Sequence, residues 1–330
     1  MKTSNEELLK MYDNCELCPH KCKINRNAGK KGACFATSNV AVSFVGLHKG
    51  EEPCISGKKG AGVIFFAFCP LHCHYCQNYQ IANNPNPPSI EVSIEELTNL
   101  MLALQEEGAY TLDLVTGTQF IPSIIIALKN AQERGFKLPV VWNSSGFENV
   151  EQLKLINGYV DLYLMDVKTF SYEVAEKFCG TKKYVKNIQM VMDYLSSIQK
   201  RTYERKGFLY GTLVRHLVFP DTVKQTLDFL KWFKDFKDKY YLSLMFQFVS
   251  PFEDDDFNSI SKKDYDKILK YLDEAEIENG FVQERSPKEN EKKWIPDFTR
   301  TNPFNEDSAS VLPYYSSLKD AYSIKVPSKA

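Results

Sequence analysis

From Val63 to Glu276 the chain alternates short apolar runs with longer segments whose apolar residues recur every three or four positions. That alternation restricts the fold more than any other feature. The runs Val63–Phe68, Thr111–Val115, Leu138–Trp142, Asp161–Met165, one within Phe208–Phe219, and Tyr241–Val249 predict strands. Helices are predicted over Ser93–Glu107, Ile121–Arg134, Asn149–Ile156, Tyr172–Phe178, Asn187–Gln199, Val223–Phe236 and Lys262–Glu276. In the first of these, Ile94, Leu97, Leu100, Met101 and Leu104 share a face, and Ser93 with Glu96 forms a capping-box signature. Strand–helix alternation implies a parallel sheet with right-handed crossovers. Six strands rather than eight point to an α/β fold that is an open, partial (β/α)6 TIM-like barrel.

Eight of the nine cysteines precede residue 77, in short spacings that suit metal ligation better than disulfide pairing in an intracellular chain. Cys69, Cys73 and Cys76 follow the first predicted strand, at the end where parallel α/β folds carry their chemistry. Three thiolates can converge on one soft metal centre and leave a coordination position free. A zinc knuckle or a set of buried thiols is the bland alternative. Cys15, Cys18, Cys22 and Cys34 lie in a loop-rich stretch broken by Pro19, Gly29 and Gly32, behind a short helix capped by Ser4 and Glu7. Four thiolates there predict a second metal site. Donor type leaves zinc and iron–sulfur both open, and thiols that bind nothing are a third reading. Cys54 is either an extra ligand or a turn residue. Gly57-Lys58-Lys59-Gly60-Ala61-Gly62 superficially suggests a phosphate loop, but it precedes a strand and lacks the Gly-Lys-Ser/Thr ending, so it reads as a hairpin turn.

Polar residues gather where the strands end: Thr116-Gly117, then Asn143, Ser144 and Ser145, then Asp166-x-Lys168. Alternation places Asp166 and Lys168 on one face, where they can pair inside a barrel. Arg215 shares a face with Leu213 and Leu217 and can clamp a carboxylate if that face is the lumen. His216 then faces the helices as a core histidine. Gln247 is a further lumen candidate, and His72 and His74 read as exposed loop residues. The chain divides into a cysteine-rich module (1–55), the barrel (56–285) and a C-terminal extension of unknown role (286–330). A net charge of −1 with 25% charged residues gives no polyanion-binding surface, so no nucleic acid is expected. No apolar run reaches the length of a membrane span and the first residues lack a signal-peptide core, so no membrane is expected and the cytoplasm is the expected home.

Cys69-x3-Cys73-x2-Cys76, with the aromatic Tyr75 before its last cysteine, resembles the cluster loop of the radical S-adenosylmethionine (SAM) family. From residue 15 to roughly 285 the chain is similar to the group formed by homologues of pyruvate formate-lyase activating enzyme. Cys15-x2-Cys18-Pro19, Glu51-Glu52-Pro53-Cys54-Ile55-Ser56-Gly57, Cys76-Gln77-Asn78 and Leu213-Val214-Arg215-His216-Leu217-Val218 carry that likeness, and Asp166-x-Lys168 resembles the same motif of the activase. The resemblance implies a partial barrel of the radical SAM type and a [4Fe–4S] cluster on Cys69, Cys73 and Cys76, with SAM on its fourth iron. SAM would meet Tyr75, Thr116, Gly117, Asn143, Ser145, Asp166, Lys168, Arg215 and Gln247, although the acidic residue usual beside Gly117 is absent. It further implies reductive cleavage of SAM to a 5′-deoxyadenosyl radical that abstracts hydrogen, and a flavodoxin- or ferredoxin-like electron donor. The substrate is a glycyl radical enzyme or a small molecule. A non-redox zinc scaffold is the competing reading from a different class.

Overall fold

The computed structural model describes residues 3–252, 260–284, 295–305 and 307–325. Its strands are β1 (Val40–His48), β2 (Ala61–Phe66), β3 (Ile90–Val92), β4 (Leu112–Val115), β5 (Val140–Ser144), β6 (Leu162–Asp166), β7 (Tyr203–Arg205), β8 (Phe208–Leu217), β9 (Tyr241–Met245), β10 (Gly280–Val282) and β11 (Ala309–Val311). They form one sheet in the order β10-β9-β8-β6-β5-β4-β2-β1-β11, with β3 added to β1 and β7 to β8. All six predicted strands are present, and every pairing from β2 through β4, β5, β6, β8 and β9 to β10 is parallel. The fold is an α/β partial barrel, as the strand–helix alternation implies.

The side chains of the parallel strands divide between two apolar layers. Val63, Phe65, Val115, Val141, Leu162, Leu164 and Leu213 meet in the lumen, whereas Ile64, Leu114, Trp142, Tyr163, Met165 and Val214 meet the outer helices. The helix Ile94–Glu106 shows how directly sequence becomes structure here. Glu96 closes its capping box on Ser93, and Leu97, Leu100, Met101 and Leu104 are fully buried. Each such side chain contributes about 1.5–3 kcal/mol by leaving water.

The N-terminal edge holds what periodicity does not reveal. β1 pairs antiparallel with β2, β3 and β11, and nearly all of it is buried, so it lacks the alternation that marks a half-buried strand. Residues 40–48, inside the predicted cysteine-rich module, therefore belong to the barrel's sheet. The predicted extension also joins the fold: β11 pairs with β1, and Phe298 and Phe304 pack on Phe65 in the lumen layer. The helix Pro313–Lys325 covers β1, β3 and Ile94–Glu106. Residues 286–294 and 326–330 of that extension lie outside the described residues. Among the described residues no helix is long and apolar enough to cross a membrane.

Candidate functional site

The loop carrying Cys69, Cys73 and Cys76 leaves the C-terminal end of β2 under backbone strain. Phe68 and His72 both sit at left-handed dihedrals, φ 70° and 50°. Such positions cost of order 1–3 kcal/mol and persist where the surroundings over-determine them. Here Phe68 N–H donates to Ile81 O (2.6 Å) and His74 N–H to Phe178 O (2.9 Å). Asn83 Nδ2 donates to Cys73 O (2.9 Å), and His72 Nε2 donates to Ala33 O (2.6 Å) while its ring packs on Phe35. Gln119, which the sequence reading passed over, aims its amide at three carbonyls, Ala67 (2.8 Å), Phe68 (3.0 Å) and Thr116 (2.9 Å). It ties the loop to the end of β4, where Thr116 is itself left-handed at φ 59°. A β-branched residue seldom adopts that conformation.

The three thiols suit an iron–sulfur group by their donors and their field. Cys69 and Cys73 are buried, and Leu71 N–H donates to Cys69 Sγ (3.4 Å). Backbone N–H groups of His72 and Asn78 also favour the thiolates of Cys69 and Cys76. N–H···S bonds of this kind are a principal control on cluster potential. Without a metal, burial and then the Cys73 thiolate push Cys69 up to about 12, and Cys76 rises for the same reasons. Cys73 moves the other way because the Cys179 thiol hydrogen-bonds to it. Cys179 is fully buried, and nothing in its local sequence marks it as a neighbour of the loop.

Lys168 stands over this group. Its Nζ donates to Asp166 Oδ2 (2.9 Å), lies 5.6 Å from the Tyr75 ring centroid, and acts electrostatically on Cys69, Cys73 and Cys76. Burial alone would lower the Lys168 pKa, but Asp166 and then Cys73 outweigh it and the ammonium is held. Asp166 Oδ1 is buried here without a partner, and Tyr75 Oη has only the Cys73 sulfur beside it. Tyr75 sits among Phe178, Phe219 and Phe248. An orphaned carboxylate oxygen beside three thiols is what a bound zwitterion would satisfy.

The remaining candidates separate by face. Asn143 points into the lumen and donates to Asp113 Oδ2 (3.2 Å). Asp113 is fully buried with Oδ1 unpartnered, and burial, then the charge of Glu51, raises its pKa well above its ordinary value. Arg215 does face the lumen, as alternation requires, but this chain's own carboxylates hold its guanidinium. It donates to Glu52 Oε1 (3.0 Å) and Oε2 (2.6 Å) and to Glu51 Oε2 (2.7 Å). Burial opposes the Glu52 charge, yet Arg215 keeps its pKa below the ordinary value. Gly117 has a packing reason instead of a ligand one: an added Cβ would lie 2.7–2.9 Å from Ile124 and Trp142. Ser144 turns outward to Glu148, which also accepts from Thr118 (2.8 Å) and Trp142 (3.2 Å). Ser145 is half-buried beside it, and half-buried Gln247 lies two residues past β9. His216 faces outward, donating from Nδ1 to Val167 O (2.7 Å) and stacking on Phe229.

The N-terminal cysteines form a second concentration of sulfur. Cys15, Cys18, Cys22 and Cys34 line one cavity of about 10 Å³, room for a single water-sized sphere, together with Arg26, Pro70, Thr118 and Gln119. Ala33 N–H donates to Cys22 Sγ (3.3 Å) and Arg26 Nη1 to Cys15 Sγ (3.6 Å). Arg26 is 1% exposed, and its guanidinium lies 4.8 Å from the Tyr12 ring centroid. Burial raises Cys18 to about 12. The knot rests directly on the barrel mouth: His20 Nε2 donates to Pro70 O (2.7 Å), and Asn149 Nδ2 to Cys18 O (3.1 Å). Among the described residues, no three His, Cys, Asp or Glu side chains are gathered tightly enough to hold a single metal ion.

Comparison with known proteins gives the context. The family model described as the Radical SAM superfamily matches residues 63–233, just over half of the chain. An uncharacterized protein of Methanocaldococcus jannaschii is 26% identical over 280 residues, 82% of this chain and 76% of that one. Among solved structures, Streptococcus suis SuiB bound to S-adenosylmethionine superposes with a TM-score of 0.48 at 9% identity, over 67% of this chain and 49% of that chain. HydG, a maturase of the [FeFe]-hydrogenase, gives 0.47 at 16% identity, over 68% and 51%. The methylornithine synthase PylB gives 0.42 at 13%, over 98% and 89%. The chain thus spans about half the length of the SuiB and HydG chains it matches.

Proposed function

The chain belongs to the radical SAM superfamily, and from that premise we propose that it cleaves SAM reductively at the barrel mouth and abstracts hydrogen from a substrate held above the lumen. Membership implies a [4Fe–4S] cluster and SAM. Cys69, Cys73 and Cys76 would hold the cluster, and the donor set fits it through the N–H···S bonds and the ammonium of Lys168. When bound, the pair supplies one-electron cleavage of a sulfonium and a hydrogen-abstracting 5′-deoxyadenosyl radical. The residues of this chain bind and exclude water. Lys168 would meet the carboxylate of SAM and Asp166 its amino group, with Tyr75 packing beneath them. Thr116, Asn143, Ser145 and Gln247 would border the nucleoside, and Gly117 would serve by packing against Ile124 and Trp142. Arg215 would act from below by holding Glu51 and Glu52 in the lumen wall.

For the substrate, Asp166-x-Lys168 supports an activase-like reaction on the glycine of a partner enzyme, with a flavodoxin- or ferredoxin-like donor. A small molecule is the second reading, favoured by the polar lumen layer in which the buried Asp113 keeps an oxygen unpartnered. Cys15, Cys18, Cys22 and Cys34 would have to draw closer together to hold zinc or a second iron–sulfur cluster, between which thiolate chemistry does not choose. The placement of Lys168 and Asp166 beside three hydrogen-bonded thiols carries this reading. Its test is anaerobic reconstitution followed by iron, sulfide and zinc analysis and by dithionite-dependent formation of 5′-deoxyadenosine. Brown protein that releases 5′-deoxyadenosine is the expected result. Colourless protein with zinc alone and no cleavage would return the chain to the scaffold reading.

A further inference from the structure

The lysine-rich turn that superficially suggests a phosphate loop does line a cleft, at the end of the barrel away from Cys69, Cys73 and Cys76. Three turns meet there, before β2, β4 and β8: Gly57-Lys58-Lys59, Gly108-Ala109-Tyr110 and Lys206-Gly207. With Pro53 they enclose about 660 Å³, within the range of small-molecule sites. Tyr110 organises the floor. Its hydroxyl donates to Lys206 O (2.9 Å), and Gly57 lies so close over the ring that an added Cβ would sit 2.6 Å from it. Gly108, at φ +80°, has Lys59 Nζ 2.7 Å from where its Cβ would be. The glycines thereby let turns from three distant parts of the sequence bring three lysines around one space.

Charge and shape then select the ligand. Lys58, Lys59 and Lys206 line the cleft, and among the described residues no acidic side chain does; Glu204 is near enough to act on the Tyr110 phenol without lining the space. Lysines are compact point charges with freely turning donors, suited to phosphate or carboxylate without the fixed fork of arginine. Pro53, Ala109 and the Tyr110 ring give the cleft an apolar side for the body of a small molecule. We propose that this cleft binds an anionic metabolite no larger than a mononucleotide, its phosphate or carboxylate held by Lys58, Lys59 and Lys206. The site stands on its own geometry, independent of the chemistry at the other end of the barrel.

Calorimetric titration of the full chain with pyrophosphate, AMP and citrate at low salt tests it. We expect saturable binding at one site for at least one probe. Affinity should fall at least tenfold in the Lys58→Ala/Lys206→Ala double variant and should weaken as salt is raised. Preference for pyrophosphate or AMP over citrate assigns phosphate, and the reverse assigns carboxylate. All three side chains belong to exposed residues, so the melting temperature should not move; Lys59→Gln serves as a second variant if the double one does not fold. Absence of saturable binding for all three probes, or equal affinity in wild type and variants, overturns the proposal.

Discussion

The two cysteine groups share a donor atom and little else. Cys69, Cys73 and Cys76 ride on the end of β2, the first of the parallel strands, in a loop strained at Phe68 and His72 and facing Lys168, Asp166 and Tyr75. Cys15, Cys18, Cys22 and Cys34 close on themselves around a cavity, supported by the small cluster of Tyr12, Cys15 and Leu17 and by the buried Arg26. One group is held by the whole sheet and presents an unsatisfied carboxylate oxygen. The other has almost no core of its own and rests on the barrel through His20 and Asn149. The same thiolate chemistry should therefore be catalytic in the first setting and structural in the second.

The strongest way to break that contrast is to remove one sulfur from each. Cys73→Ala should abolish 5′-deoxyadenosine formation while the barrel keeps its melting temperature. Cys18→Ala should lower the melting temperature, because a small metal module loses its folding free energy with its ligand. It should reduce cleavage only about 10- to 100-fold, the size of an outer-shell effect, because the knot reaches the mouth through neighbours such as Pro70, His72, Thr118 and Gln119 and not through the three thiols themselves. If the Cys18 variant loses cleavage as completely as the Cys73 variant, the two sites are one machine and the contrast fails.

The grouping of Cys69, Cys73 and Cys76 was legible in the sequence because they are seven residues apart from first to last and follow a strand. The barrel was legible because its strands are separated by periodic helices. What escaped has one cause: contact between residues remote in sequence. Cys179 meets Cys73, Gln119 meets Ala67 and Phe68, and Phe298 and Phe304 fill the lumen beside Phe65. Arg215 shows the limit most sharply, since alternation gives its face but nothing local announces that Glu51 and Glu52 will occupy it. That triad offers the next effect in size. Arg215→Met leaves two buried carboxylates unpaired and should cost about 3–5 kcal/mol in a urea titration. Little or no loss would mean that water, and not Arg215, solvates the pair.

The smallest effect sharpens the same comparison through two histidines, one in the barrel wall and one at the seam with the knot. Burial lowers the His216 pKa to about 4, while its Nδ1–H donates to Val167 O and leaves Nε2 to accept from Thr226. The unfolded chain binds this proton near pH 6.5. Stability is therefore complete above about pH 6.5 and is lost as the pH falls from there towards about 4. Between pH 7 and pH 5 the loss should be about 2 kcal/mol. His216→Phe keeps the stacking on Phe229 and should remove that part of the pH dependence, although its stability at pH 7 will be lower because Val167 O and Thr226 lose their partner. Burial lowers the His20 pKa too, but His20 is half-buried at the seam, so His20→Asn should flatten the acid limb by less. Urea midpoints at the two pH values for both variants decide the matter: equal flattening would place the acid sensitivity at the seam as much as in the barrel wall.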